Sequence, residues 1–193
     1  MYQTLLGSSS FFTLLLRFDE DLAAQAREVG CPCGGALHSA RYVRKPRGGP
    51  EGLGPEHAMR LSFCCSVEGC RRRATPPSLR FLGRKVFFGA LVLLLPVLRE
   101  GPTPQRLRRL AETFAVSPRT LLRWRRWWRA VVPLSRFWEA MRGRFAVPVA
   151  TEALPGSLLA AFSARAQPRE QVVSVLLWLS PLPSELSLSG CGL

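Results

Sequence analysis

The spacing of the cysteines constrains this chain more than any other feature. Cys31-Pro32-Cys33-Gly34-Gly35 sets two thiols on a turn that the glycines allow to close tightly. Further along, Phe63-Cys64-Cys65-Ser66-Val67-Glu68-Gly69-Cys70 brings two more across a second turn holding Gly69. Two such turns facing each other supply four sulfurs, the closed tetrahedral set of a structural Zn²⁺ site. A β unit of about 45 residues has too little core to hold itself together, so metal binding would itself drive its folding. The spacings are C-x-C and C-x4-C rather than the commoner C-x2-C, and unligated core thiols are the competing reading. Cys64 and Cys65 are neighbours on an expected strand and point to opposite faces, so only one joins the site. The expected ligands are Cys31, Cys33, Cys65 and Cys70, with Cys65 preferred to Cys64 because it is nearer the turn. His38 is the weaker alternative donor, and Cys191 is expected to be no ligand.

Metal binding is a better use of these thiols than disulfide formation because nothing in the sequence reads as a secretion signal. Met1 to Phe12 lacks a basic start, and Gly7 and Ser8 to Ser10 interrupt its apolar stretch ahead of Asp19, Glu20 and Asp21. The longest apolar run, Val86 to Leu98, has 13 residues and contains Pro96. A bilayer span needs roughly 20. The expectation is a soluble, cytoplasmic protein with no membrane partner. With 47% hydrophobic residues the chain can also bury real cores and should fold.

Charge is distributed unevenly. The chain has 27 Lys plus Arg against 13 Asp plus Glu, and only Lys45 and Lys85 are lysines. From Cys31 to Val147 there are 23 basic and 6 acidic residues, whereas the flanks hold 4 and 7. A high-GC genome would favour arginine codons everywhere, but it does not explain the central excess. A guanidinium offers a planar fork of donors suited to phosphates and guanine edges.

Four segments follow from the pattern of apolar residues and breakers. Residues 1–30 form an amphipathic helix, from about Phe11 to Val29, on the stripe Phe11, Leu14, Leu15, Phe18, Leu22 and Val29, with Ser10 as its cap and Gly30 as its stop. Residues 31–77 form a zinc-ribbon-like module with strands at Ala36 to Val43 and Met59 to Cys64. Residues 78–147 are helical: an apolar helix at Arg84 to Arg99 bent near Pro96, then Thr103 to Phe114, Pro118 to about Val131 capped by Ser117, and Leu134 to Met141. Residues 148–193 continue with helices near Gly156 to Ala164 and Pro168 to Leu179, then a tail. The expected class is α+β, mostly α: a small β zinc ribbon, a tri-helical helix-turn-helix and C-terminal helices.

Residues Arg106 to Trp128 read RLRRLAETFAVSPRTLLRWRRWW. Leu107, Leu110, Ala111 and Phe114 make the inner stripe of one helix, and Leu121, Trp124 and Trp128 that of the next. Ala115 to Ser117 leave room only for a very short turn, so the helices must cross steeply, as in a helix-turn-helix whose second helix enters the major groove. On that second helix Arg119 and Thr120 stand where base edges would be met. Arg123, Arg125, Arg126 and Arg129 follow in positions suited to phosphates. No acidic residue occurs between Ser117 and Glu139, and so many arginines would repel one another unless a polyanion neutralised them. Trp127, among these arginines, is expected to pack against Leu134 to Met141. Arg71, Arg72 and Arg73, next to the last thiol, could grip further phosphates.

The segment resembles the helix-turn-helix regions of bacterial regulators and transposases, with Ala111, Ala115, Val116, Ser117, Leu121 and Trp124 in the characteristic places. Ala115 stands where that family usually has a glycine in a left-handed turn, a departure costing on the order of 1 kcal/mol. With the cysteine ribbon, CRRRATPPSLRFLG, the apolar helix and S-x-x-T-L-x-R-W, the stretch from Cys31 to Trp128 looks like the amino-terminal DNA-binding part of insertion-sequence transposases. The resemblance implies that ribbon and helices recognise DNA while a separate acidic domain, holding Mg²⁺, cuts it. Such a domain is not expected here: Asp19 and Asp21 are the only aspartates, and the 46 residues after Val147 are too few. No Walker-type loop or G-x-S-x-G occurs either. The expectation is a stand-alone, non-enzymatic DNA-binding relative, associated with the nucleoid, working as a homodimer or beside a transposase. A zinc-dependent protein-interaction adaptor is the alternative.

Overall fold

The computed structural model describes residues 2–83, 85–98, 104–164 and 167–181, and for 104, 106, 107, 110 and 111 the backbone alone. The chain opens with a short helix α1 (Tyr2–Leu6), which the periodicity did not reveal, followed by α2 (Ser9–Val29). The cap of α2 is Ser8 rather than Ser10: its side chain accepts from the Phe11 N–H, and Gly30, at φ 75°, ends the helix. Phe11, Phe12, Leu15, Leu16, Asp19 and Ala23 form the buried face of α2, while Val29, expected on that face, is 86% exposed.

The ribbon follows as β1 (Leu37–Ser39), β2 (Tyr42–Val43), β3 (Met59–Arg60), β4 (Phe63–Cys65) and β5 (Arg73–Ala74). Each of the two strands expected from sequence is broken in the middle. β1 pairs antiparallel with β4, setting Leu37 opposite Cys65, while β2 pairs with β3, setting Tyr42 opposite Arg60. β5 completes the first sheet beside β4.

The helices begin later than the apolar run suggested. Val86 to Phe88 stay outside the helix and bridge to the ribbon loop, where the Arg47 N–H donates to the Val86 carbonyl at 3.0 Å, and α3 spans only Gly89–Leu98. Its residues from Gly89 to Pro96 are all buried, as a helix apolar all round requires. Pro96 lies inside α3 and has no N–H to give to the carbonyl four residues back, that of Val92. The Trp128 indole takes over, donating to the Val92 carbonyl at 2.9 Å.

Next come α4 (Pro104–Thr113), α5 (Pro118–Arg126), α6 (Arg136–Arg142), α7 (Gly156–Ala161) and α8 (Pro168–Leu179). Thr103, ahead of α4, and the stretch from Leu182 onward, Cys191 included, lie outside the described residues, as do Arg84 and Arg99. A tight turn joins α4 to α5. Ala115 there adopts φ 48°, the left-handed geometry expected at that position, and Ser117 caps α5 by accepting from the Thr120 N–H. Beyond Arg126 the helix widens into a π turn, Trp127–Val131, with the Val132 N–H donating to the Trp127 carbonyl at 2.9 Å. Trp124, Trp127 and Trp128 are all buried there.

The architecture is thus α+β and mostly α. One large apolar cluster draws on α1, α2, α3, α5, the π turn, α6, α7 and α8, so the first, third and fourth segments of the sequence share a core. A smaller one joins Ala23 of α2 to Cys31, Leu37, Leu61, Phe63 and Cys65 of the ribbon.

Candidate metal centre and basic surface

The two cysteine turns meet. The sulfurs of Cys31, Cys33, Cys65 and Cys70 all lie within 4.8 Å of one another, and these four residues can hold a metal ion. Sγ–Sγ distances are 3.5 Å for Cys31 to Cys33, 3.5 Å for Cys33 to Cys65 and 3.7 Å for Cys31 to Cys70. Sulfurs at about 2.3 Å from a tetrahedral ion sit about 3.8 Å apart, close to that spacing. A disulfide would bring two sulfurs to about 2 Å.

Backbone geometry prepares the sulfurs for negative charge. The N–H groups of Cys33, Gly35 and Val67 point at the sulfurs of Cys31, Cys33 and Cys65, in each instance two residues back along the chain. At Cys33 the Gly35 N–H, helped by the neighbouring thiols, lowers the pKa to about 7. At Cys31 and Cys65 the backbone N–H also pulls downward, but burial and the neighbouring sulfurs outweigh it. Cys31 is raised, and Cys65 is pushed up to about 12. Gly35 is required by close approach, since a Cβ there would lie 2.6 Å from the Cys65 sulfur.

Of the adjacent pair, Cys65 is the inward residue, at 1% exposure, and Cys64 points away with its sulfur 3.5 Å from the Arg71 carbonyl. His38 stands exposed opposite Cys64 and outside the sulfur cluster.

On α5 the side chains of Arg119, Arg123, Arg125 and Arg126 are exposed, and Leu121 and Trp124 face inward. Thr120 does not stand free at the helix start: it is buried, its hydroxyl lying 3.0 Å from the Ser117 Oγ and accepting from Arg123 Nη2 at 3.2 Å. That residue belongs to the cap and cannot offer its hydroxyl to a base edge. Arg129 is displaced as well, since the π turn draws it into half-burial. Trp127 lies in the core beside Trp128, with the Lys85 ammonium 3.8 Å from its ring centre, and burial lowers the Lys85 pKa to about 8. Leu122, unremarked in the sequence, is 51% exposed among the arginines. Arg71, Arg72 and Arg73, directly after Cys70, are exposed, Arg73 with its guanidinium 5.8 Å from the Tyr42 ring centre. The ribbon loop reaches the α4–α5 turn: a Cβ on Gly48 would lie 2.9 Å from Leu91 and 3.2 Å from the Phe114 carbonyl. Of the expected α4 stripe, Phe114 is buried, and the side chains of Leu107, Leu110 and Ala111 lie outside the described set.

Sequence reasoning missed the polar joint between α2 and the ribbon. Asp19 accepts from Ser78 Oγ at 2.6 Å, the Leu79 N–H at 2.6 Å and Arg80 Nε at 2.8 Å, with both charged side chains fully buried. Arg80 also donates to the carbonyls of Glu56, His57 and Met59. The available signal was an acid on the apolar face of α2, in phase with Phe11, Leu15 and Ala23. Compared with known proteins, the chain matches no family model, no curated protein and no solved structure.

Proposed function

We propose that this is a DNA-binding protein of zinc-ribbon and helix-turn-helix type, transposase-like or regulatory, that performs no catalysis of its own. The reading rests on the outward face of α5, where Arg119, Arg123, Arg125 and Arg126 meet solvent with no acidic residue between Ser117 and Glu139. Arg119 leads into the groove, and the later arginines take phosphates. Arg71, Arg72 and Arg73 add a second cationic patch. The metal is Zn²⁺: four thiolates with no open position suit a structural ion that does no redox chemistry. Its role is to hold the ribbon, and the protein works in the cytoplasm on the nucleoid, alone, as a homodimer or beside a transposase.

Binding to a labelled duplex, followed against salt, tests the reading. The three arginine–phosphate contacts of Arg123, Arg125 and Arg126 imply a slope of log K on log salt of about −3, or roughly 40-fold weaker binding between about 50 and 200 mM. Arg119→Ala with Arg123→Ala should remove about a third of that slope, through the lost Arg123 phosphate contact, and weaken sequence preference through Arg119. A duplex that fails to bind even at low salt ends the proposal. Exposed Leu122 favours a second reading, a zinc-dependent adaptor whose arginines meet an acidic protein surface. There the double substitution would abolish protein capture and leave DNA binding untouched. Native mass spectrometry reads metal identity and subunit number together.

A further inference from the structure

A cavity of about 390 Å³ opens between the β2–β3 hairpin, the segment from Thr75 to Gly83 and the end of α8, with Tyr42, Arg44, Arg60, Thr75, Phe81 and Ser180 in its walls. Its volume is in the range of small-molecule clefts, and its aromatic and proline walls can cover an organic body.

The charge in this cavity is one-sided. Two guanidiniums line it, and no carboxylate does among the described residues. Arg44 is held in place by donating to the carbonyls of Gly83 and Lys85 at 3.0 and 2.9 Å, with its guanidinium 5.3 Å from the Phe81 ring centre. Arg60 is 8% exposed, and its Nη2 donates to the Pro76 carbonyl. Its Nη1 is buried with no hydrogen-bond partner among the described residues. A guanidinium N–H deprived of both water and an acceptor is a costly arrangement that natural proteins rarely keep without a use. Burial, with Arg44 and Arg80 adding to it, lowers the Arg60 pKa from its ordinary value. Asp19 is the acid that opposes this, but its oxygens are already taken by Ser78, Leu79 and Arg80. Arg73, its guanidinium 5.8 Å from the ring centre of the wall residue Tyr42, adds another cation nearby. The component lacking is an anion with several acceptor oxygens.

We propose that this cavity binds a small organic phosphate, a phosphomonoester of mononucleotide size, with its oxygens held by Arg60 and Arg44 and its body against Tyr42 and the prolines. A tetrahedral phosphate suits the site better than a planar carboxylate because it presents three acceptors to two guanidinium forks and the Thr75 hydroxyl, the Ser180 hydroxyl being given to the Leu177 carbonyl. A modest swing of the Arg60 guanidinium, of the kind binding commonly induces, brings Nη1 onto the ligand. This site is separate from the α5 face and does not depend on DNA binding.

Calorimetric titration of the full metal-loaded chain with adenosine 5′-monophosphate, inorganic phosphate and adenosine tests the proposal. The nucleotide should bind saturably, inorganic phosphate should compete with it, and adenosine should do neither. Arg60→Met and Arg44→Met should each weaken binding by roughly tenfold or more. Because Arg60→Met removes a buried side chain, Thr75→Val serves as a milder variant at an exposed wall residue, with unchanged circular dichroism and a several-fold loss expected. Arg119→Ala with Arg123→Ala should leave nucleotide binding as it was. The proposal is overturned if neither phosphate ligand binds at millimolar concentration, if Arg44→Met binds as well as the parent, or if a DNA duplex displaces the nucleotide.

Discussion

Pro96 and Trp128 should be energetically coupled, and the coupling can be measured. The proline leaves the Val92 carbonyl without its helical donor, and the Trp128 indole N–H fills the gap at 2.9 Å in a fully buried place. Trp128→Phe strands that carbonyl, at about 1–3 kcal/mol, and also leaves a cavity, so a total loss of about 3–4 kcal/mol is expected. In a Pro96→Ala background the residue 96 N–H returns to the carbonyl, and the Trp128→Phe loss should shrink to the cavity contribution. The double-mutant cycle should therefore give an interaction of about 1–2 kcal/mol, read from urea unfolding followed by far-ultraviolet circular dichroism. Additive losses within about 0.5 kcal/mol would show that the indole N–H does not replace the missing helical bond.

Asp19→Asn should destabilise the protein by about 3–5 kcal/mol in the same denaturation assay, because it leaves the buried Arg80 charge unopposed and turns an amide toward donors; a loss under about 1 kcal/mol would contradict a fully buried pair. Ala115→Gly should stabilise by about 0.5–1 kcal/mol, the relief of left-handed strain outweighing the added freedom of the unfolded glycine. A fall in thermal midpoint would overturn that assignment. Lys85 has its pKa lowered by burial from 10.5 to about 8, so the unfolded chain holds the proton more tightly across that interval and stability should rise with pH through it. The penalty, on the order of 3 kcal/mol, is fully present below pH 8, and Lys85→Met should flatten the rise; a parent profile flat over the same range counts against it.

The cysteine spacing made the sulfur cluster legible because C-x-C and C-x4-C turns leave few ways to arrange four thiols. Alternation left room for only one of Cys64 and Cys65, and nearness to the turn selected Cys65, the residue that faces inward. The stop at Gly30 and the starts at Ser117 and Pro168 were visible, where local caps and breakers act alone. What stayed hidden depends on residues distant in sequence. The non-helical course of Val86 to Phe88 reflects pairing with Arg47, which no local pattern encodes. Thr120 read as a contact residue because it stands at the helix start, where base edges would be met, yet the cap turns it inward. Arg129 was misplaced by the extra residue of the π turn, which shifts the helical phase. Asp19 and Arg80 are 61 positions apart, and their pairing emerged only from the fold.

The floor beneath the sulfur cluster has a further consequence for anyone who would move the ribbon. Ala23 and Ala26 come from α2, and the guanidinium that gathers the carbonyls of Glu56, His57 and Met59 comes from position 80, beyond the ribbon's last strand. A fragment trimmed to 31–77 would keep its four thiols and leave both supports behind. This ribbon is no transplantable cassette: grafted elsewhere, it would need a substitute helix and a substitute arginine before it could hold its shape.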